Sequence, residues 1–190
     1  MEKYDLFFQS PREFIKNQRV YSVLYLLRRD IYTCLGYNPT DNSKIEYQAL
    51  FPGTMAILAG IDLLAKFYKG CDNYRKSNER FKDFINKYFG CTKEESEIVY
   101  QLRNSLLHSF GLYSYKVLNK KRQEFNFFLN QDDAVFIRQM PDSNYFISIN
   151  QLLTKFENSI ELYKSELKES TELSNNFDKI LINYGFLRVK

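Results

Sequence analysis

A chain of 190 residues with 17 Phe and 15 Tyr has apolar material for one domain with its own core, which excludes a disordered polar chain. A net charge of +4, from 27 basic and 23 acidic residues, permits a polyanionic partner but does not by itself argue for one. The single histidine, His108, excludes any site built from two His ligands of the same chain, HExxH zinc and two-His iron sites among them.

Cys34, Cys71 and Cys91 are far apart and form no CxxC, so neither a disulfide framework nor a zinc cage is expected, and a reduced, cytoplasmic setting fits best. The opening Met-Glu-Lys-Tyr-Asp lacks a basic region followed by an apolar run, and the longest uncharged stretch, between Glu46 and Asp62, contains Pro52 and Gly53. No signal peptide or membrane span is expected. No linker rich in Gly, Ser or Pro divides residues 1–190, which are read as a single domain.

In chain order, Val20, Leu24, Leu27, Ile31 and Leu35 have the spacing of one helix face and predict a helix over 14–35, ended by Gly36 and Pro39. Residues 54–68, after Pro52-Gly53, are apolar nearly all round, as in a helix buried on several sides. Phe81, Phe84, Ile85, Tyr88 and Phe89 mark a third helix, stopped by Gly90. Thr92-Lys93-Glu94-Glu95 has the form of a capping box and opens a fourth helix, which runs to about Ser109 with Gly111 as its stop. The period then changes to two through Phe125, Phe127 and Leu129, then Val135 to Ile137, then Tyr145, Ile147 and Ile149, with turns at 130–133 and 141–144. Helical spacing resumes from Leu152 to Leu167 and again from Leu173 to Tyr184. The expected architecture is an all-α bundle of about five to six helices with a small antiparallel β-hairpin or meander inserted at about 123–149.

The fourth helix carries the candidate chemistry. With Ile98 set at zero and about 100° per residue, Leu102, Leu106 and Val99 fall between roughly 40° and 100° and form a core stripe. Arg103, Leu107, Tyr100, Asn104 and His108 follow from roughly 140° to 280°, off that stripe. A lone His can equally be an ordinary surface residue. Its company argues otherwise, because Leu107 and Tyr100 are apolar groups in the middle of a polar arc, as on a surface that meets a partner subunit. Asn104 and His108 are one turn apart and can point to a common place. Arg103 stands about 140° from His108, so the two meet poorly within one helix unless the Arg side chain curls round or the helix bends. Two copies related by a two-fold axis would bring both pairs into one cleft.

Other constellations are weaker. Ser105 and Ser109 flank His108 without the sharp turn and oriented base of a serine hydrolase, and Gly53 and Gly60 make no phosphate-cradling loop. Asp62, among Ile61, Leu63 and Leu64, needs a partner if buried: Lys66 one turn on, or Arg28, Arg29 or Arg103. Lys116, Lys120, Lys121 and Arg122, beside Tyr113 and Tyr115, can hold single-stranded RNA by phosphate contact and stacking, although a solvated loop is the commoner explanation of such a run.

Arg103-Asn104-Ser105-Leu106-Leu107-His108 resembles the R-x4-H signature, in its R-N-x-x-x-H form, of the HEPN superfamily (higher eukaryotes and prokaryotes nucleotide-binding). The segment lies late on a capped helix and is followed by Gly111, and the resemblance in helix order covers most of the chain, the β insertion being a departure. It implies a homodimer whose motif helices line a cleft, and a metal-independent RNase of a bacterial toxin–antitoxin or defence system, without cofactor and with an antitoxin protein as a possible partner. It further implies that His108 transfers a proton at the ribose 2′-OH or the 5′-oxygen, that Arg103 holds the phosphate, and that Asn104 orients His108 or a phosphate oxygen. The expected products are a 2′,3′-cyclic phosphate and a 5′-hydroxyl. A HEPN-like module that binds RNA, nucleotide or protein without catalysis is the alternative, because architecture alone does not choose between them.

Overall fold

A computed structural model of the chain describes residues 3–13, 18–39, 41 and 43–188. In chain order its elements are α1 (Lys3–Phe7), β1 (Val20–Ser22), α2 (Val23–Cys34), α3 (Leu50–Lys69), a 3₁₀ turn (Tyr74–Lys76), α4 (Ser77–Tyr88), α5 (Lys93–Ser109), β2 (Tyr113–Leu118), β3 (Lys121–Asn130), β4 (Ile137–Met140), β5 (Asn144–Ser148), α6 (Ile149–Glu169), α7 (Thr171–Tyr184) and β6 (Phe186–Arg188). Among the described residues, 58% are helical, in seven helices, and 18% are in strands, in two sheets; this is an α/β fold, which corrects the expected all-α bundle.

The first helix is shorter at its start than the periodicity predicts. Residues 14–17 of the expected span lie outside the described residues, Val20 belongs to β1, and α2 begins at Val23. The break falls at Ser22, whose Oγ accepts from Tyr25 N at 2.9 Å and donates to Phe7 O at 2.7 Å, capping α2 and tying it to α1. β1 pairs antiparallel with β6, so residues near both ends of the chain are held side by side.

α3 is the centre of the fold and packs against α2, α4, α5, α6 and α7. It is long and apolar enough to cross a membrane, and more than half of its apolar stretch is buried against neighbouring helices, while Ala59 and Leu63 remain at an open groove. At Gly60 an added Cβ would lie 2.6 Å from Phe156 Cζ and 3.0 Å from Leu27 Cδ2, so a bare backbone is what lets α6 and α2 close on α3. Phe7, Phe67 and Phe177 meet with ring centroids 4.6 to 5.0 Å apart and fasten α1 to α3 and α7.

The β part is larger than the expected insertion and paired differently. Its strand order is β2-β3-β5-β4, and β3 runs parallel to β5, because β4 returns on the far side of β5 instead of beside β3. Val135 precedes β4 and Ile149 opens α6, so neither extends a strand as expected. Phe125, Phe127, Tyr145 and Ile147 fill the inner face toward the helices, while Tyr113, Tyr115, Val117 and Phe128 stand exposed on the outer face.

Candidate active site

α5 is fixed at both ends. Thr92 Oγ1 accepts from Glu95 N at 3.1 Å while Glu95 Oε2 accepts from Thr92 N at 2.8 Å, the reciprocal bonds of a capping box. Ile98, Val99, Leu102 and Leu106 form the buried stripe the wheel predicts. The helix stops one residue earlier than Gly111, at Phe110, which takes up a left-handed conformation at φ 49° although it carries a bulky side chain.

Asp62 of α3 finds Arg103 rather than the other candidates. Arg103 Nε and Nη2 donate to Asp62 Oδ2 at 2.8 and 2.5 Å, whereas Lys66 pairs with Asp72 and Arg28 with Glu157. The pair is largely buried, with side chains 13% and 12% exposed. Asp62 Oδ1 is buried with no hydrogen-bond partner among the described residues, so Oδ2 carries both bonds. Held from below in this way, the guanidinium curls round α5. Its Nη1 donates to Asn104 Oδ1 at 3.1 Å and to His108 Nε2 at 2.6 Å. Arg103 and His108 therefore meet within one chain, through the side-chain route left open by the wheel.

An arginine can only donate, so His108 Nε2 is the acceptor in this contact, and the ring proton is assigned to Nδ1 from the bonding pattern. Of the five guanidinium N–H groups, these bonds engage Nε, both hydrogens of Nη1 and one of Nη2, leaving one Nη2 hydrogen.

Two hollows flank the motif. Asn104 and His108 line an open cleft of about 700 Å³ whose other wall is Tyr113, Ser114 and Tyr115 of β2. Arg103 and Leu107 line a groove of about 330 Å³ on the other side, with Leu27, Leu63, Lys66 and Arg80. Leu107 is half-buried there. Tyr100 departs from expectation. It is buried, with its ring 5.7 Å from that of Phe81 and Lys82 Nζ 5.1 Å above it, because α4 crosses this side of α5. It cannot be the centre of an open apolar face.

Lys116, Lys120, Lys121 and Arg122 belong to a β-hairpin, not to the loop that a charge run ordinarily marks. Asn119 and Lys120, both at positive φ, make its two-residue turn. The cations are spread over different faces. Lys116 Nζ lies 3.5 Å from Glu97 Oε2 on the α5 side, and Arg122 Nε lies 3.0 Å from Glu124 Oε1, its guanidinium 4.2 Å above the Tyr115 ring. Arg122 also donates to the Tyr113 hydroxyl.

Glu97 is a residue the sequence reading did not single out. It accepts from Lys82 Nζ at 2.6 Å and Gln101 Nε2 at 2.8 Å, and Gln101 Oε1 in turn accepts from Ser114 Oγ at 2.6 Å. Burial pushes its carboxyl up, but the Lys82 and Gln101 bonds and the Lys82 and Lys116 charges outweigh this and hold it below the ordinary glutamate range. The i,i+4 spacing of Glu97 and Gln101 was the available signal. Among the described residues no group of three His, Cys, Asp or Glu side chains is gathered as a metal site would require. In comparisons with known proteins the chain matches no family model, no curated protein and no solved structure.

Proposed function

We infer that this chain is a metal-independent endoribonuclease of the HEPN type, working as a homodimer in the cytoplasm, with Arg103, Asn104 and His108 as its reacting centre. The observation that carries the reading is the hydrogen-bonded chain Asp62–Arg103–His108, which ends on an open cleft beside an aromatic hairpin. A buried carboxylate aiming an arginine at the only imidazole is more order than a surface histidine requires.

The chemistry follows from the groups present. A neutral imidazole takes the proton of the ribose 2′-OH as its oxygen attacks phosphorus. A protonated imidazole returns a proton to the departing 5′-oxygen, and the products are a 2′,3′-cyclic phosphate and a 5′-hydroxyl. One chain holds one histidine, so base and acid both being His requires the second subunit. Arg103 stabilises charge on the phosphorane oxygens once a phosphate takes the place of His108 Nε2 at Nη1. Asn104 Oδ1 holds the other Nη1 hydrogen and so fixes the plane of the fork. The half-buried Leu107, with Leu27 and Leu63, offers apolar surface for the second copy. An antitoxin that covers this cleft belongs to the same reading.

A non-catalytic binding module is the second reading, favoured by one observation: four of the five Arg103 donors are already engaged within the protomer. The test is incubation of purified protein with single-stranded RNA in EDTA. The nuclease reading predicts fragments with cyclic phosphate ends, lost in His108→Ala; RNA retained but left intact selects the binding module.

A further inference from the structure

We propose that the outer face of the β2–β3 hairpin is a base-stacking subsite for single-stranded RNA, which it feeds into the His108 cleft. The proposal rests on the ribonuclease reading for its direction, but its own observations are separate from the motif.

The pairing register puts Tyr113, Tyr115 and Val117 of β2 on the same face as Arg122 and Phe128 of β3. Large apolar side chains that alternate along a strand ordinarily turn inward. Here the helix-facing positions of β2 are polar, Ser114 bonding to Gln101 and Lys116 pairing with Glu97 of α5, and the tyrosines are left 40% and 53% exposed on the opposite face. Their rings lie 6.4 Å apart at 35°, and the Arg122 guanidinium of β3 lies over Tyr115, so planar groups from both strands are presented on one face of the hairpin. Every base has a π face, so rings and guanidinium planes arranged in this way hold unpaired bases without regard to sequence.

Two further features choose RNA over another protein as the occupant. From Tyr113 to Asn130 the hairpin has four basic residues, Lys116, Lys120, Lys121 and Arg122, against one acidic residue, Glu124. Lys116 and Lys121 are on the opposite face, so the cations that a phosphate backbone running beside the rings meets are Arg122 and, at the turn, Lys120. β2 is also an edge strand, and lysines on and beside an edge oppose strand addition by a second chain. Tyr113 and Tyr115 lie at one side of the cleft that Asn104 and His108 line from the other, so a strand stacked on the rings has a path into that cleft.

Fluorescence anisotropy with a short single-stranded RNA tests the subsite. With 2′-O-methyl riboses the RNA has no 2′-hydroxyl to attack, so wild-type protein reports binding alone. Tyr113→Ala/Tyr115→Ala should weaken binding at least about tenfold, and Tyr113→Phe/Tyr115→Phe should retain it, because stacking needs the ring and not the hydroxyl. In unaltered protein, 5-iodouridine in the RNA should photocrosslink to the segment containing these tyrosines. Wild-type affinity in the Ala pair, or crosslinks elsewhere in the chain, overturns the proposal. So does conversion of a wild-type dimer to monomer by the Ala pair, which would make this face a contact between copies. If His108→Ala cleaves normal RNA as well as wild type while the tyrosine results hold, the catalytic reading falls and the stacking subsite stands.

Discussion

Arg103 Nη1 donates to His108 Nε2 across 2.6 Å, although the two residues are five positions and about 140° apart around α5. The contact exists because Asp62 of α3 holds the opposite edge of the guanidinium. Asp62 is therefore a positioning residue. Asp62→Asn should cost about 3–5 kcal/mol of stability in urea unfolding, since it leaves the Arg103 charge buried without its partner. Asp62→Leu combined with Arg103→Met should recover most of that loss while RNA cleavage stays absent. Unchanged stability and cleavage in Asp62→Asn would remove it from the site.

Leu107 tests the dimer independently of chemistry. In the groove that also contains Arg103, a lysine at this position places charge on the surface proposed to meet the second subunit. Light scattering should give a dimer for wild type and a monomer for Leu107→Lys, with circular dichroism unchanged. A wild-type monomer at micromolar concentration contradicts the two-histidine mechanism.

Glu97 predicts a pH dependence. Its carboxyl lies below the ordinary range in the folded chain, despite the opposing push from burial, through the Lys82 and Gln101 bonds. A depressed folded value means that this stabilisation is fully present above the unfolded glutamate value, near about 4.3, and is lost as pH falls through the folded value. Glu97→Gln should cost roughly 1–3 kcal/mol at neutral pH and flatten the fall in stability on the acid side. An acid limb identical to wild type would show that Glu97 is not responsible for it.

The helical part of this fold could be read because its signals are local. Gly60 and its apolar neighbours mark the central helix, Thr92 and Glu95 the start of α5, and Ile98, Leu102 and Leu106 its buried stripe. The strands were harder, because pairing is set by distant segments. β1 and β6 are three residues each, too short to show a period, and the alternation of Tyr113, Tyr115 and Val117 is short, broken by Leu118 and inverted, with its apolar side exposed. Nothing local to β3 and β5 distinguishes parallel from antiparallel pairing. Within the site, Arg103, Asn104 and His108 were identified together, but the wheel treats a side chain as a direction and not as a flexible arm. It therefore left the Arg103–His108 contact open as a curled side chain without choosing it over a two-fold axis, and it placed Tyr100 on an open face that α4 in fact covers.

Phe110 carries a backbone conformation better suited to glycine. A left-handed non-glycine residue costs about 1–2 kcal/mol, and glycine adds about 0.5–1 kcal/mol of unfolded-state entropy. Phe110→Gly should therefore raise stability by roughly 0.5–1 kcal/mol, read as a higher urea midpoint. A lowered midpoint would mean that the contact of Phe110 with the Phe51 ring, 6.3 Å away, outweighs the strain.

The central claim is tested most directly by the ends of the RNA. Single-stranded RNA incubated with wild-type protein in excess EDTA should yield 2′,3′-cyclic phosphate and 5′-hydroxyl termini, and His108→Ala, folded and dimeric, should yield none. Equal cleavage by the variant, or RNA left intact by the wild-type dimer, would contradict it.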